Sequence, residues 1–385
     1  MKTVSILGST GSIGVSTVDL LAAAPDRFAV RALVGNSNGG RLAEQARALR
    51  AEFAVCADHR QYNALKEALA DTPTRVACGP EAVLEAARLG ADYTMAAITG
   101  MAGLAPTLAA AEAGGIVALA NKEALVSAGD VMLRAVASAG ATLLPVDSEH
   151  NAIFQALAGS PGRSLEKITL TASGGPFRTA SREDMARATP EVALRHPVWS
   201  MGAKISIDSA TLFNKGLEVI EAARLFGLAS HQIDVLVHPQ SIVHGMVHFT
   251  DGSILAQLGA PDMRIPIAHT LGWPDRLLTH APRLDLAAAR HLEFLPPDEE
   301  KFPALRLARQ ALQDGGGSPA ILNAANEIAV AAFLSRRIGF LDIAALVADV
   351  LSRLGARRAD TLDEVLALDD EARHCASAME VARAA

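Results

Sequence analysis

The sequence predicts an α/β protein in three parts: an amino-terminal parallel-sheet domain, a central α+β domain and a carboxyl-terminal helical domain. Three observations lead there. Up to about residue 135, short apolar runs alternate with alanine-rich helical stretches, the pattern of βαβ units. Beyond that point, as far as about Gly272, strand-like and helical segments mix without regular alternation. From about Phe302 onward the chain is helix-forming alanine and leucine.

Candidate strands Val4–Leu7, Ala29–Val34, Phe53–Val55, Tyr93–Ala97 and Ile116–Ala120 build the first domain, expected over residues 1–140, with a first helix at Val15–Leu21. A strand at Ala141–Val146 opens the second domain, 141–272, which also holds strand-like runs at Lys167–Thr171, Val235–Val237 and Ile242–Phe249. Between Trp273-Pro274 and Pro303 the composition turns to proline, arginine and acidic residues with weak periodicity, so 273–301 reads as a surface linker. The helical domain, 302–385, is interrupted at Gly315-Gly316-Gly317 and Gly339. No internal repeat and no low-complexity tract is visible.

Composition narrows the function. Half of the 385 residues are hydrophobic and 20% are charged, enough to bury a large core. A net charge of −7 offers no field for a polyanion, and 4% aromatic residues leave little surface for stacking bases, so nucleic acid is not an expected partner. Cys56, Cys78 and Cys375 show no CxxC spacing. Free thiols fit a reducing cytosol, and a cytoplasmic location is expected. The first apolar run, Met1 to Leu7, reaches a glycine too soon for a signal-peptide core. No uncharged run approaches the roughly 18 large apolar residues of a membrane span, since Leu104 to Ala120 carries Glu112 and is mostly alanine and glycine.

Gly8-Ser9-Thr10-Gly11-Ser12-Ile13-Gly14 lies between the first strand and the first helix. Glycines there permit a tight turn and a close approach of backbone to a pyrophosphate at the helix start, so this domain is expected to be Rossmann-like and to bind a dinucleotide. After the second strand, Gly35-Asn36-Ser37-Asn38-Gly39-Gly40-Arg41 contains no acid for a ribose 2′-hydroxyl, and its amides, hydroxyl and Arg41 suit a 2′-phosphate. NADP is therefore preferred to NAD, although a flexible Gly/Asn turn fits the same residues. Asn121-Lys122-Glu123 follows a candidate strand at the edge where such a sheet binds ligands. A plain helix start capped by Asn121 is the simpler reading of those residues alone.

Asp147-Ser148-Glu149-His150 follows a strand. In an extended chain Asp147 and Glu149 face the same way with Cα atoms roughly 6.6 Å apart, which suits two oxygen ligands on one divalent cation. Taken alone the segment is equally an ordinary surface turn. Ser173-Gly174-Gly175 after the 167–171 strand is a natural anion nest. If Ser209 or Thr211 caps a helix, Asn214, Glu218 and Glu221 share one face with Lys215 beside them, though a solvated acidic face is the simpler reading of the two glutamates alone. The loop 195–204 contains Trp199 and Met201 between Pro197 and Gly202, an odd make-up for a connector that suggests a lid excluding water; the alternative is that Trp199 anchors the loop to the core. His238 and His244 lack ligand-like spacing and read as structural.

GSTGSIG at 8–14, LANKE at 119–123, PVDSEHNAIFQ at 145–155, SGGPF at 173–177, RHPVWSMGAKISIDSATLFNKGLE at 195–218, HPQSIVH at 238–244 and NAANE at 323–327 together resemble the 1-deoxy-D-xylulose 5-phosphate reductoisomerase family, in order and over nearly the whole chain. That family converts 1-deoxy-D-xylulose 5-phosphate to 2-C-methyl-D-erythritol 4-phosphate with NADPH and a divalent metal, in the non-mevalonate route to isoprenoid precursors. The resemblance implies that Asp147, Glu149 and Glu218 bind Mg²⁺ or Mn²⁺. Ser148 and Glu149 would contact substrate oxygens, with Glu218 beside them, and Ser173, Ser209, Asn214 and Lys215 would hold the phosphate end. His196 and Trp199 would meet the substrate from the lid with Met201, and Lys204 and His196 would join the three acids as catalytic groups. Thr10, Gly11, Ser12 and Ile13, then Gly35, Asn36 and Asn38, and Asn121, Lys122, Glu123 and the Gly202 backbone would contact the cofactor. Where many members carry a lysine after the second strand this chain has Ser37, so 2′-phosphate recognition falls to Asn36, Asn38 and Arg41. A homodimer is also implied.

The chemistry accounts for the residue types. A hard cation on three carboxylates can chelate the adjacent carbonyl and hydroxyl of an α-ketol. Retro-aldol cleavage and re-addition, favoured by the family over a direct α-ketol shift, would give a branched aldehyde for hydride reduction. Two other classes fit parts of the sequence: another NADP-dependent dehydrogenase of a phosphorylated small molecule, and a non-catalytic NADP-sensing protein.

Overall fold

A strand covered on both faces needs an unbroken apolar run, and the first third of the chain supplies several. In the computed structural model, which describes residues 1–159, 164–199 and 201–384, seven of them pair in one parallel sheet. They are β1 (Lys2–Leu7), β2 (Phe28–Gly35), β3 (Phe53–Cys56), β4 (Arg75–Cys78), β5 (Tyr93–Ala96), β6 (Ile116–Leu119) and β7 (Thr142–Pro145). Their order is β4-β3-β2-β1-β5-β6-β7. The chain winds outward from β1 to β4, then returns to lay β5 on the other side of β1. That reversal puts a switch point between β1 and β5, where a doubly wound sheet opens a ligand crevice. The expected strands are all present, and β4 was not foreseen: it is a short edge strand that opens on an exposed Arg75.

By its contacts the chain falls into two compact units, Met1–Ala124 with Met132–Asn151 and Asp262–Pro282, and Leu125–Val131 with Ala152–Pro261 and Arg283–Ala385. In the first, Val4, Ile6, Leu33, Ala54, Tyr93 and Met95 form the buried centre of the sheet. Ile267, Ala268 and Leu271 join it from the helix Arg264–Gly272. Polar ties fix that helix: Tyr93 Oη and Thr270 Oγ1 lie 2.9 Å apart, and Lys2 Nζ donates to the Leu271 carbonyl at 3.1 Å.

The second unit holds a four-stranded mixed sheet in the order β11-β10-β8-β9. Its strands are β8 (Leu165–Ala172), β9 (Ile233–Val237), β10 (Val243–Phe249) and β11 (Ile254–Leu258). β9 runs parallel to β8, while β10 is antiparallel to both β8 and β11. The helix Phe213–Phe226 buries Val219, Ala222 and Ala223 against Ile168, Leu170, Ile233, Val235 and Val247. Gly216 lets it approach the helix Ala304–Asp314, since a Cβ there would lie 2.8 Å from Ala308 Cβ. Three long helices, Ser318–Leu334, Phe340–Leu354 and Leu362–Ala384, form the carboxyl-terminal part. Phe340 stands between Phe177 and Phe333, with ring centroids 4.7 and 5.6 Å away. Among the described residues, no helix is long and apolar enough to cross a membrane.

Two predictions follow from the first unit. A Cβ on Gly14 would lie 2.2 Å from the Gly8 carbonyl oxygen. Gly14→Ala should therefore cost about 1–3 kcal/mol, read as a lowered Tm, and weaken NADPH binding in a fluorescence titration. Burial, with Arg276 adding to it, draws the His269 imidazole down from 6.5 to about 4, and Asn151 Nδ2 lies 3.1 Å from its Nδ1. The folded ring stays neutral where the unfolded one takes a proton. Stability from this group is thus complete above pH 6.5 and is lost as pH falls towards 4. Tm measured across that range should decline, and His269→Gln should flatten that part of the curve.

Candidate active site

In the first unit, β1 delivers the glycine loop. Gly8 has φ +95°, and an added Cβ would lie 2.5 Å from the Ala97 carbonyl oxygen, so only glycine fits where the loop crosses the end of β5. Gly11 precedes the helix Ser12–Ala22 without a side-chain cap, leaving its first backbone N–H groups for a ligand. A Cβ on Gly35 would meet Thr10 Cγ2 at 3.2 Å, so Thr10, Gly11, Ser12 and Ile13 share the carboxyl edge of the sheet with the loop after β2. There Asn38 Oδ1 accepts from the Arg41 amide at 3.1 Å and caps the helix Gly39–Leu49, and the Asn36 carbonyl accepts from the Asp58 amide at 3.5 Å. Asn121 does what the simpler reading foresaw: its Oδ1 caps the helix Lys122–Ala139 at the Ala124 amide, 3.2 Å, and its Nδ2 donates to the Gly100 carbonyl. Glu123 follows it, buried.

The carboxylate pair needs a correction. β7 ends at Pro145, the Asp147 carbonyl accepts from the Asn151 amide at 2.9 Å, and Ser148–Leu157 is helical. Asp147 thus stands at a helix start and Glu149 in its first turn, so strand alternation is not what sets their directions. The positive end of the helix favours both acids. Ser148 Oγ donates to Glu149 Oε2 at 2.6 Å, and the Lys122 ammonium pairs with Asp147 Oδ2.

In the second unit, Gly174 and Gly175 turn the chain after β8 with φ +83° and +64°. An added Cβ on Gly175 would lie 2.9 Å from the Ser209 carbonyl oxygen, so this turn rests on the end of the helix Ala203–Thr211. Ser173 Oγ lies 2.8 Å from His196 Nε2, while His196 Nδ1 accepts from the Trp199 and Val198 amides at 2.8 and 3.2 Å. Those two acceptances assign the ring proton to Nε2, which donates to Ser173. Burial holds the His196 pKa below its ordinary value. Of the loop 195–204, Ser200 lies outside the described residues. The Trp199 ring lies 6.2 Å from that of His244. Gly202 caps the next helix, and Lys204 Nζ pairs with Asp208 Oδ2 at 2.6 Å.

Ser209 and Thr211 do not cap the following helix. Both sit inside Ala203–Thr211, Thr211 Oγ1 bonds back to the Ile207 carbonyl, and Leu212, at φ 63°, turns the chain into Phe213–Phe226. The shared face is nonetheless present: Asn214 Nδ2 donates to Glu218 Oε1 at 2.5 Å and the Lys215 ammonium pairs with Glu218 Oε2. Lys215, Glu218 and Glu221 are all 1–2% exposed, which rules out a solvated acidic face. His238 is structural as read: Nδ1 donates to the Glu293 carbonyl, Nε2 accepts from the Ile242 amide, and the ring stacks on Phe294. Among the buried groups given no role from the sequence are Asp208 and Asn326. The i,i+4 spacing of Lys204 and Asp208 was the one available signal.

A doubly wound sheet with a glycine loop at its switch point, and carboxylates paired with lysines, define a dinucleotide-dependent oxidoreductase of the α/β class. Family models narrow this. The model for 1-deoxy-D-xylulose 5-phosphate reductoisomerase matches residues 4–129, and models of its C-terminal domains match 143–226 and 258–375. The chain belongs to the 1-deoxy-D-xylulose 5-phosphate reductoisomerase family and has that enzyme's activity. The Gluconobacter oxydans (strain 621H) reductoisomerase is 63% identical over 378 residues, 98% of this chain and 93% of its own length. The relative from Rhodospirillum centenum is 58% identical over 382 residues, covering 99% and 95%. The solved Zymomonas mobilis enzyme, in complex with NADPH, gives a TM-score of 0.94 at 54% identity, covering 98% of this chain and 99% of that one. A reductoisomerase solved with NADPH, fosmidomycin and magnesium gives 0.92 at 42% identity, covering 99% and 98%. The other dehydrogenase and the NADP sensor are thereby set aside.

The His196 geometry is testable by pH. Protonating Nδ1 removes its acceptances from the Trp199 and Val198 amides. In a Trp273→Phe background, Trp199 emission should change as pH falls from 8 to 5, with a midpoint below the ordinary histidine value of 6.5. A flat profile would contradict the assignment.

Proposed function

We propose that this chain converts 1-deoxy-D-xylulose 5-phosphate to 2-C-methyl-D-erythritol 4-phosphate with NADPH and Mg²⁺ or Mn²⁺, and that Asp147, Glu149 and Glu218 are the metal's ligands. The supporting observation is the donor set. Asp147, beside Lys122, and Glu218, beside Lys215, present carboxylate oxygens, the donors a hard divalent cation takes. When bound, such a cation polarises the substrate carbonyl and acidifies the adjacent hydroxyl. NADPH supplies the hydride, and the uncapped start of Ser12–Ala22 with Thr10, Gly11, Ser12 and Ile13 suits its pyrophosphate.

This chain's own residues bind and orient. Ser148 and Glu149 meet the substrate's oxygens at the helix start. Ser173 and Ser209, joined through the Gly175 turn, hold the phosphate with Asn214 and Lys215. His196, tied to Ser173, and Lys204 close on the substrate from the loop 195–204, where Trp199 and Met201 exclude water. Gly35, Asn36, Asn38, Asn121, Lys122, Glu123 and the Gly202 backbone line the cofactor.

The expected division into 1–140, 141–272, a 273–301 linker and 302–385 is retained as a functional one, supported by the separate family matches at 4–129, 143–226 and 258–375. We place the protein in the cytoplasm, in keeping with three unpaired thiols. A homodimer forming on β11 is supported by its position at the sheet edge and by Ile254, Leu255 and Leu258, which are 53%, 49% and 37% exposed.

Remote phosphate binding can be spent on closure and orientation, so Lys215→Ala and Ser209→Ala should each lower kcat by about 100-fold as well as raise KM. A change confined to KM would count against phosphate roles. Glu218→Gln should abolish turnover while NADPH still quenches protein fluorescence, and chelator should stop NADPH oxidation in the wild type. Turnover by Glu218→Gln would sink the metal assignment.

A further inference from the structure

NAANE at 323–327 is part of the family resemblance, yet none of the roles above uses it. Asn326, fully buried on the helix Ser318–Leu334, donates from Nδ2 to Asp208 Oδ1 at 2.8 Å. Asp208 is 2% exposed in the last turn of Ala203–Thr211. That is a poor place for a carboxylate on two counts. Water cannot reach it, and the carboxyl end of a helix is itself negative. Both oxygens are engaged all the same, Oδ1 by Asn326 and Oδ2 by the Lys204 ammonium at 2.6 Å.

Lys204 is the odd member of this set. Its side chain is 31% exposed, in the first turn of the helix, at the foot of the loop 195–204. A lysine there ordinarily samples many rotamers. Here Asp208 dictates where the ammonium sits, and Asn326 dictates where Asp208 sits. Replacing a buried ion pair by neutral groups of similar size is often neutral for stability, so folding alone gives little reason for the arrangement.

We infer that Asp208 is a positioning residue for the reductoisomerase reaction: it clamps the Lys204 ammonium, and with it the foot of the covering loop, to the helix Ser318–Leu334 through Asn326. The inference rests on the proposed placement of Lys204 among the catalytic groups.

The experiment compares full-length wild type, Asp208→Asn, Lys204→Met, the double variant and Asn326→Ala, with 1-deoxy-D-xylulose 5-phosphate, NADPH and Mg²⁺. Asp208→Asn should lower kcat by about tenfold or more, with the Kd for NADPH within about twofold of wild type. The double variant should lose no more kcat than Lys204→Met alone, the non-additivity expected of two residues that act through one ammonium. Asn326→Ala, which leaves the ion pair but frees its anchor, should lower kcat several-fold with NADPH affinity unchanged, and it serves where Asp208→Asn does not fold. If Lys204→Met retains full activity, the catalytic placement of Lys204 falls and this inference with it. If Lys204→Met is impaired while Asp208→Asn or Asn326→Ala turns over normally, only the positioning role falls. Losses that multiply in the double variant would also overturn it, because the two residues would then act independently.

Discussion

A carboxylate inside a protein needs a cation and hydrogen-bond donors, and several parts of this chain are organised around that requirement. Glu218 has Lys215 and Asn214; Asp208 has Lys204 and Asn326; at the other carboxylate, Asp147 has Lys122. Removing one partner from a buried pair costs about 3–5 kcal/mol, far more than the pair itself contributes, so each acid fixes the residues around it. That accounts for two helices in sequence, Ala203–Thr211 and Phe213–Phe226, that bury charges where surface helices would expose them. It also means that these three acids and their ammonium partners are held in place by the fold itself. Preorganised charge of this kind needs no reorganisation at the moment of reaction.

Backbone geometry does the complementary work at the sheet edge. Gly8 and Gly14 allow a crossing in which a single methyl group would strike backbone, so the helix Ser12–Ala22 starts close against the end of β1. A comparable device lies in Lys122–Ala139, where Ala128 departs from helical angles at φ −126°. The Arg224 guanidinium donates to the carbonyls of Leu125 and Val126, satisfying groups that the kink exposes. Gly129 leaves room for it: an added Cβ would lie 2.2 Å from the arginine side chain. The kinked helix is the same one that presents Asn121 and Lys122 at its start.

What the sequence made legible was whatever depends on short range. The strands of the parallel sheet showed as apolar runs, and the glycine loop showed because its function needs missing side chains at fixed intervals. The face of Asn214 and Glu218 showed because helical spacing is four residues. β4 escaped because a four-residue edge strand that opens on exposed Arg75 and is only partly buried beyond it carries little apolar signal. The return of Asp262–Pro282 to the first unit escaped for another reason: Thr270 meets Tyr93 across 177 positions, and no local pattern encodes that. Asp208 was visible as a residue and opaque as a partner, because its meaning lies in Asn326, 118 positions away.

The Asp147 segment shows how a right residue choice can rest on the wrong geometry. Alternation in a strand would aim Asp147 and Glu149 together. A helix start gives the same two residues a field that favours negative charge, with Ser148 bonded to one and Lys122 paired with the other. Proline at 145 ends β7, and the Asn151 side chain donates back to its carbonyl at 2.9 Å, which closes the turn that begins the helix. The motif therefore encodes a strand-to-helix junction as well as a donor set. The junction is what orients two acids at the carboxyl edge of a sheet whose other loops are shaped for a dinucleotide.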